Sequence, residues 1–168
     1  MQIDKIYFDM DGVLADFCKG AEQLGGYVWK KEQNHVEAKD DTMWDCIRSV
    51  EGFYLKLDLM PGAKEMFDSI YQRFSKKCEV LTGIPKPKRN IKNVKEDKIT
   101  WMHERLAADI VVNECNKEDK WRYCKGKGCV LIDDMQANID AWEAAGGTGI
   151  LYEDAESTLQ ELERIIEM

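Results

Sequence analysis

At 168 residues the chain has the length of one domain with room for a small insertion, enough to bury a sizeable core. Its 44% hydrophobic and 33% charged residues are those of an ordinary soluble globular protein. No apolar run approaches the roughly 18 to 20 residues that a membrane span requires. The formal net charge of −8 excludes a protein that wraps nucleic acid with its whole surface, so anionic ligands must be met by local positive charge.

The opening MQIDKIYFDM has no basic region followed by an apolar stretch and a small-residue cleavage site, and the expectation is a cytoplasmic protein. Lys5 to Phe8 is a short apolar run, predicted as the first strand. A helical pattern follows from Ala15 to Leu24 and stops at Gly25-Gly26. Residues 17 to 60 differ in character, with two tryptophans and scattered charge, and read as a small helical cap inserted into a core of residues 1–16 and 61–168. Within the cap, Asp40-Asp41-Thr42 is a plausible start for a helix running through Val50.

Pro61-Gly62 opens a helix to about Phe74, proline being tolerated in a first turn. Cys78 to Leu81, Ile110 to Val112, Cys129 to Ile132 and Thr148 to Leu151 are predicted strands. Helical patterns over 93–107, 117–124 and 136–145 separate them. The tail places Leu159, Leu162 and Ile166 on one helical face. Short apolar strands alternating with helices predict an α/β fold, a three-layer α/β/α arrangement around a Rossmann-like parallel sheet. Cys78 and Cys129 fall in buried strands, so the six cysteines are read as reduced thiols. The spacing of Cys115, Cys124 and Cys129 follows no zinc pattern.

Ligands of parallel α/β sheets bind beyond the carboxyl ends of the strands. The first predicted strand is followed by Asp9 and Asp11, the second by Thr82-Gly83, the third by Asn113-Glu114 and the fourth by Asp133-Asp134. Carboxylates gathered at one edge repel each other unless a cation or protons neutralise them. Oxygen-only donors favour a hard ion, and Mg²⁺ suits a few carboxylates shared with a substrate phosphate. Two aspartates at i and i+2 of an extended segment point the same way, so Asp9 and Asp11 can divide the work of nucleophile and general acid–base. Gly12 lets the backbone turn sharply beside them. Read alone, each segment is also an ordinary polar turn or helix cap; their joint occurrence argues for a site.

These residues resemble the haloacid dehalogenase superfamily of aspartate-nucleophile phosphatases. The motifs are Asp9-Met10-Asp11-Gly12-Val13, then Thr82 after the strand CEVL, then a lysine, then Asp133-Asp134 after CVLI. A narrower similarity, carried by DMDGVLADF (9–17), FYLKLDLMPGA (53–63), VLTGIPK (80–86) and VLIDDMQANI (130–139), is to the 5′(3′)-deoxyribonucleotidases. That resemblance implies an aspartyl-phosphate on Asp9, acid and base work by Asp11, and a phosphoryl contact from Thr82. It also implies Mg²⁺ on Asp9, the Asp11 carbonyl and Asp133, with Asp134 supporting directly or through water, a helical cap, and a deoxynucleoside monophosphate as substrate. Gly83 stands where the nucleotidases often carry serine, at a position expected to line the substrate.

Three points remain open in the sequence. Lys98 lies on the apolar face of Val94, Trp101, Met102 and Leu106, where a charge needs a partner or a snorkelling path, and it matches the family's phosphate-binding lysine. Lys117 and Lys120 are its rivals, though NKEDK also reads as a solvated helix start. The basic run KPKRNIK (86–92) is either a positive rim that attracts phosphate esters or a solvated loop. Phe17, Trp44, Phe53 and Tyr54 are candidates for a base-stacking wall or for the cap's own core. The rival functions are a phosphatase of another small metabolite, a nucleic-acid 3′-phosphatase, and an idle domain that binds a phosphate ligand without turning it over.

Overall fold

The computed structural model describes residues 1–25 and 37–168. The Gly26 half of the expected helix stop and Trp29 lie outside the described residues. Five parallel strands make one sheet: β1 (Lys5–Phe8), β2 (Cys78–Gly83), β3 (Val111–Cys115), β4 (Cys129–Asp133) and β5 (Thr148–Leu151), in the order β3-β2-β1-β4-β5. The helices are α1 (Phe17–Gly25), α2 (Glu37–Arg48), α3 (Ala63–Phe74), α4 (Val94–Arg105), α5 (Gln136–Ala144) and α6 (Ala155–Glu167). Each crossover returns the chain to the same sheet, as parallel pairing demands.

The alternation of side chains along the strands sorts the core into two layers. On one face Ile6, Phe8, Val80, Val130, Ile132 and Ile150 pack with Met66, Phe67 and Ile70 of α3, Trp101 and Met102 of α4, and Leu162 and Ile165 of α6. On the other, Tyr7, Leu81, Cys129 and Leu131 pack with Ile139 and Trp142 of α5, with Tyr123 and Cys124 at the margin. The first layer continues without a break into Ala21, Met43, Ile47, Phe53, Tyr54 and Leu57, which lie between β1 and α3 in the chain. Among the described residues no helix is long and apolar enough to cross a membrane.

Several boundaries differ from the sequence reading. Thr82, Gly83, Asn113, Glu114 and Asp133 belong to strands rather than following them, because parallel pairing such as Thr82 with Glu114 carries each ladder further than the apolar run. Helix α2 begins at Glu37, so Asp40-Asp41-Thr42 lies inside it, and it ends at Arg48. The segment 117–124 is a 3-10 stretch, Lys117–Tyr123. In α6 the buried face is Thr158, Leu162 and Ile165, with Leu159 and Ile166 only partly covered. Asp154 caps α6 by accepting the Ser157 N–H at 2.7 Å.

Candidate active site

The order β3-β2-β1-β4-β5 reverses direction between β1 and β4, and the carboxyl ends of these two neighbouring strands carry the acidic residues. Asp9 leaves β1 with its N–H donated to the Ile132 carbonyl at 2.9 Å. The chain then turns through Met10, which is fully buried, to Asp11 and Gly12. Gly12 has φ +88°, and a Cβ there would lie 2.5 Å from Asp134 Oδ2. Glycine is required on both counts: the backbone is left-handed and the Asp134 carboxylate occupies the side-chain space.

Oxygens of Asp9, Asp133 and Asp134 lie within 4.8 Å of one another. Lys120 inserts its ammonium into this group, 2.7 Å from Asp9 Oδ1 and 2.6 Å from Asp133 Oδ2. It is 2% exposed, so the solvated-helix reading of NKEDK is corrected at this residue, while Lys117 of the same motif is exposed. The 3-10 stretch lies against the second face of the sheet and aims Lys120 inward over β1 and β4. Asp133 is further held by the Met135 N–H at 2.9 Å and by Asn138 Nδ2 at 3.0 and 2.9 Å. Asn138, on α5, was not singled out by sequence. Its position five residues after Asp133, on the inward face of α5, is the signal that could have found it.

Burial pushes the Asp9 carboxyl up to about 8, with Asp133, Asp134 and Asp11 adding to the rise and Lys120 opposing it. Burial pulls the Lys120 ammonium down, but Asp9 and Asp133 outweigh it and its pKa is raised. Three carboxylates thus face one internal ammonium. An all-oxygen group with residual negative charge fits a hard divalent cation.

Asp11 has a separate partner. Lys98, fully buried on α4, reaches it from the opposite face of the sheet and donates to Asp11 Oδ2 at 2.7 Å, Thr82 Oγ1 at 3.0 Å and the Gly83 carbonyl at 2.8 Å. The Tyr54 ring covers the same ammonium at 4.7 Å. Asp9 and Asp11 are close enough for the Asp11 charge to help raise the Asp9 carboxyl, and each pairs with a lysine that comes from a different face of the sheet. Of the two outcomes open to a charge on an apolar helix face, partners or a snorkelling path, Lys98 has partners. An ammonium has three N–H donors, and here protein acceptors engage all three.

Thr82 is fully buried at the end of β2, next to this lysine. Gly83 has a reason of its own: a Cβ there would press on Lys117 at 3.0 Å from its Cβ and 3.3 Å from its Cα. A serine at this position would be a tight fit, requiring the start of the 3-10 stretch that carries Lys120 to give way slightly.

The aromatic candidates form one cluster. Phe17 stands 5.6 Å from Phe53, 5.9 Å from Trp44 and 6.3 Å from Tyr54, ring centre to ring centre. Phe53 is buried, facing Phe17 and Tyr54 edge-on, and belongs to the core rather than to an open wall. Arg89 lies over the Trp44 ring at 5.7 Å and pairs with Asp41, while Arg48 donates to the Arg89 carbonyl at 3.1 Å. Part of the basic run is thus a clip on α2 and not a free rim. A cleft of about 390 Å³ opens beside it, lined among others by Arg48, Phe53, Tyr54, Asn90, Lys92 and Asp97.

No protein-family profile and no curated protein matches the sequence. Solved structures do resemble it. A HAD-superfamily hydrolase from Ehrlichia chaffeensis matches with a TM-score of 0.59 at 12% identity over 98% of each chain. A HAD family hydrolase from Deinococcus radiodurans, with bound phosphate and sodium, matches with 0.55 at 16% identity over 95% of this chain and 88% of that one. The Bacillus subtilis protein YfnB, bound to magnesium, matches with 0.59 at 12% identity over 100% of both chains. At such identities the likeness is one of architecture: this chain has the α/β fold of the HAD-type hydrolases.

Proposed function

We propose that the chain is a Mg²⁺-dependent phosphomonoester hydrolase working through an aspartyl-phosphate on Asp9. The observation that carries this reading is the different company kept by two aspartates two residues apart. Asp9 sits with Lys120, Asp133 and Asp134, and Asp11 sits with Lys98. Unlike settings for paired carboxylates suit unlike tasks, nucleophile for one and acid–base for the other.

In this reading Asp9 Oδ1 is held by the Met10 N–H at 2.8 Å and by Lys120, and the other oxygen attacks phosphorus. The bond to the leaving oxygen breaks, and Asp11 gives that oxygen its proton. Asp11 then takes a proton from water, which attacks phosphorus and frees Asp9. Lys120 meets charge on the transferring group, as do backbone N–H groups after Asp9. The phosphate contact expected of Lys98 passes to Lys120, because the Lys98 donors are engaged by protein. The Thr82 hydroxyl donates to the Gly83 carbonyl at 3.3 Å and accepts from Lys98, so in this reading it supports Lys98 and the phosphoryl contact expected of it is not used. Mg²⁺, held by Asp9, Asp133, Asp134 and the Asp11 carbonyl, would neutralise phosphoryl charge.

The proposed substrate is a deoxynucleoside monophosphate. Its support is the run of nucleotidase-like motifs and the half-buried Phe17 directly after the aspartate loop, with residues 17–60 as the element that selects the leaving group. Burial of Phe53 and the Arg89 cover on Trp44 weaken a broad stacking wall and favour, as second reading, another small phosphometabolite.

The test is phosphate release from deoxy- and ribonucleoside 5′- and 3′-monophosphates and from sugar phosphates, with Mg²⁺ and with chelator. Chelator-sensitive release concentrated on deoxynucleotides is expected. Release from other esters alone would retain the chemistry and replace the substrate. Folded protein with no release from any ester, or an Asp9→Asn variant of undiminished turnover, would overturn the reading.

A further inference from the structure

The contacts of Lys98 carry more than the proposed chemistry uses. Its ammonium is spent on Asp11 Oδ2, Thr82 Oγ1 and the Gly83 carbonyl, and its remaining exposure is closed by the Tyr54 ring. The other oxygen of Asp11, Oδ1, is buried and has no hydrogen-bond partner among the described residues. One oxygen of this carboxyl is therefore anchored and the other is left to a reacting group. A buried polar atom without a partner is costly, and such atoms persist where a ligand or a reaction satisfies them.

Tyr54 belongs to a different part of the chain from the lysine it covers. It opens the 3-10 turn Tyr54–Lys56, after α2, and that turn packs along α4. Trp101, one turn beyond Lys98 on α4, donates its indole N–H to the Leu57 carbonyl at 2.8 Å, fixing the turn to the helix. The Tyr54 ring is thus seated by the backbone and not by chance contact. Cation–ring attraction strengthens when both groups are shielded from water, as Tyr54 and Lys98 are here. Tyr54 also forms part of the wall of the 390 Å³ cleft.

We infer that Lys98 and Tyr54 are positioning residues: Tyr54 seats Lys98, Lys98 anchors Asp11 Oδ2, and Oδ1 is thereby presented to the leaving-group oxygen. The inference rests on the phosphomonoesterase reading above. During phosphoryl transfer the Asp9–phosphorus bond forms as the phosphorus–oxygen bond of the ester breaks. The proton of Asp11 passes from Oδ1 to the departing oxygen, and the carboxylate that remains is the one paired with Lys98. Lys98 keeps all its protons throughout.

The readout is the dependence of kcat/KM on the leaving group, because kcat/KM reports events through the first irreversible step. An alkyl phosphomonoester needs its leaving oxygen protonated, whereas p-nitrophenyl phosphate releases a stable anion and needs little help. Tyr54→Leu is expected to lower kcat/KM about tenfold or more for the alkyl ester and less than about threefold for p-nitrophenyl phosphate, the scale that misplacing a reacting group commands. Tyr54→Phe, which keeps the ring, is expected to restore the wild-type ratio of the two esters. Lys98→Met should widen the ratio further where it folds, and Tyr54→Leu decides the matter where it does not. Equal losses on both esters, or a Tyr54→Phe variant with the ratio of Tyr54→Leu, would overturn the inference while leaving the phosphatase reading intact. A wild-type protein that releases phosphate from neither ester would remove that reading and this inference with it.

Discussion

Lys120 and Asp9 show how a single buried contact sets the character of a site. Lys120 is an ammonium with almost no solvent, and it is charged because two carboxylates surround it. Removing one partner of a buried pair leaves uncompensated charge, so Lys120→Met is expected to lose about 3 kcal/mol of stability in urea unfolding. It should also lose roughly a hundredfold or more in turnover, the scale seen when a group that meets transition-state charge is deleted. Unchanged unfolding would show that the contact does not persist in solution.

The Asp9 carboxyl makes a second prediction. Its folded pKa, about 8, is above the ordinary 3.8, so between these values the metal-free fold keeps a proton that the unfolded chain has released. Stability contributed by a raised carboxyl is full below the unfolded pKa and lost as pH rises toward the folded one. Asp58, Asp119, Glu118 and Asp154 are shifted the other way by their partners and finish titrating on the acid side. In chelator, unfolding free energy is therefore expected to fall from about pH 5 to about pH 8, and Asp9→Asn should flatten that slope. A wild-type slope equal to that of the variant would contradict the assignment.

At the scale of elements, the loop after β2 illustrates what charge in a sequence can and cannot say. KPKRNIK looked equally like a rim for anions and a solvated loop, and Arg89 does neither. It covers Trp44 and pairs with Asp41, both on α2. Arg89→Ala is expected to loosen that helix and raise KM about threefold or more, with kcat within about twofold, because its described ring and ion-pair partners are Trp44 and Asp41 on α2. Steady-state kinetics on the best ester of the panel checks this, and a fall in kcat at constant KM would place Arg89 in the chemistry instead.

For the whole molecule, the sheet order collects residues from opposite ends of the chain. Asp9 and Asp133 are 124 positions apart in sequence and share one lysine because β1 and β4 pair directly. One ammonium, Lys120, faces three carboxyl groups there, so the divalent ion proposed above is expected to add stability on binding. Mg²⁺ at about a hundred times its Kd contributes about 2.7 kcal/mol. A chain of this size should then melt roughly 5 to 10 °C higher, and chelator should reverse the shift. A melting temperature indifferent to millimolar Mg²⁺ would argue against the site.

Much of this was legible in residue order alone. The apolar strand runs, the helical periods between them and the acidic residues at strand ends are local patterns, and local patterns determine an α/β fold and the edge where chemistry gathers. Which lysine serves which carboxylate was decided only by tertiary structure. Lys98 and Lys120 are both lysines on short helical stretches, and their sequence neighbours do not say that one approaches from each face of the sheet. The same holds for Gly12 and Gly83, whose missing side chains make room for Asp134 and Lys117, residues far along the chain. Arg89 and Phe53, too, have roles set by what packs on them. Charge partners and close packing depend on three-dimensional neighbours, and neighbours are supplied by strand order, which no local stretch of this sequence contains.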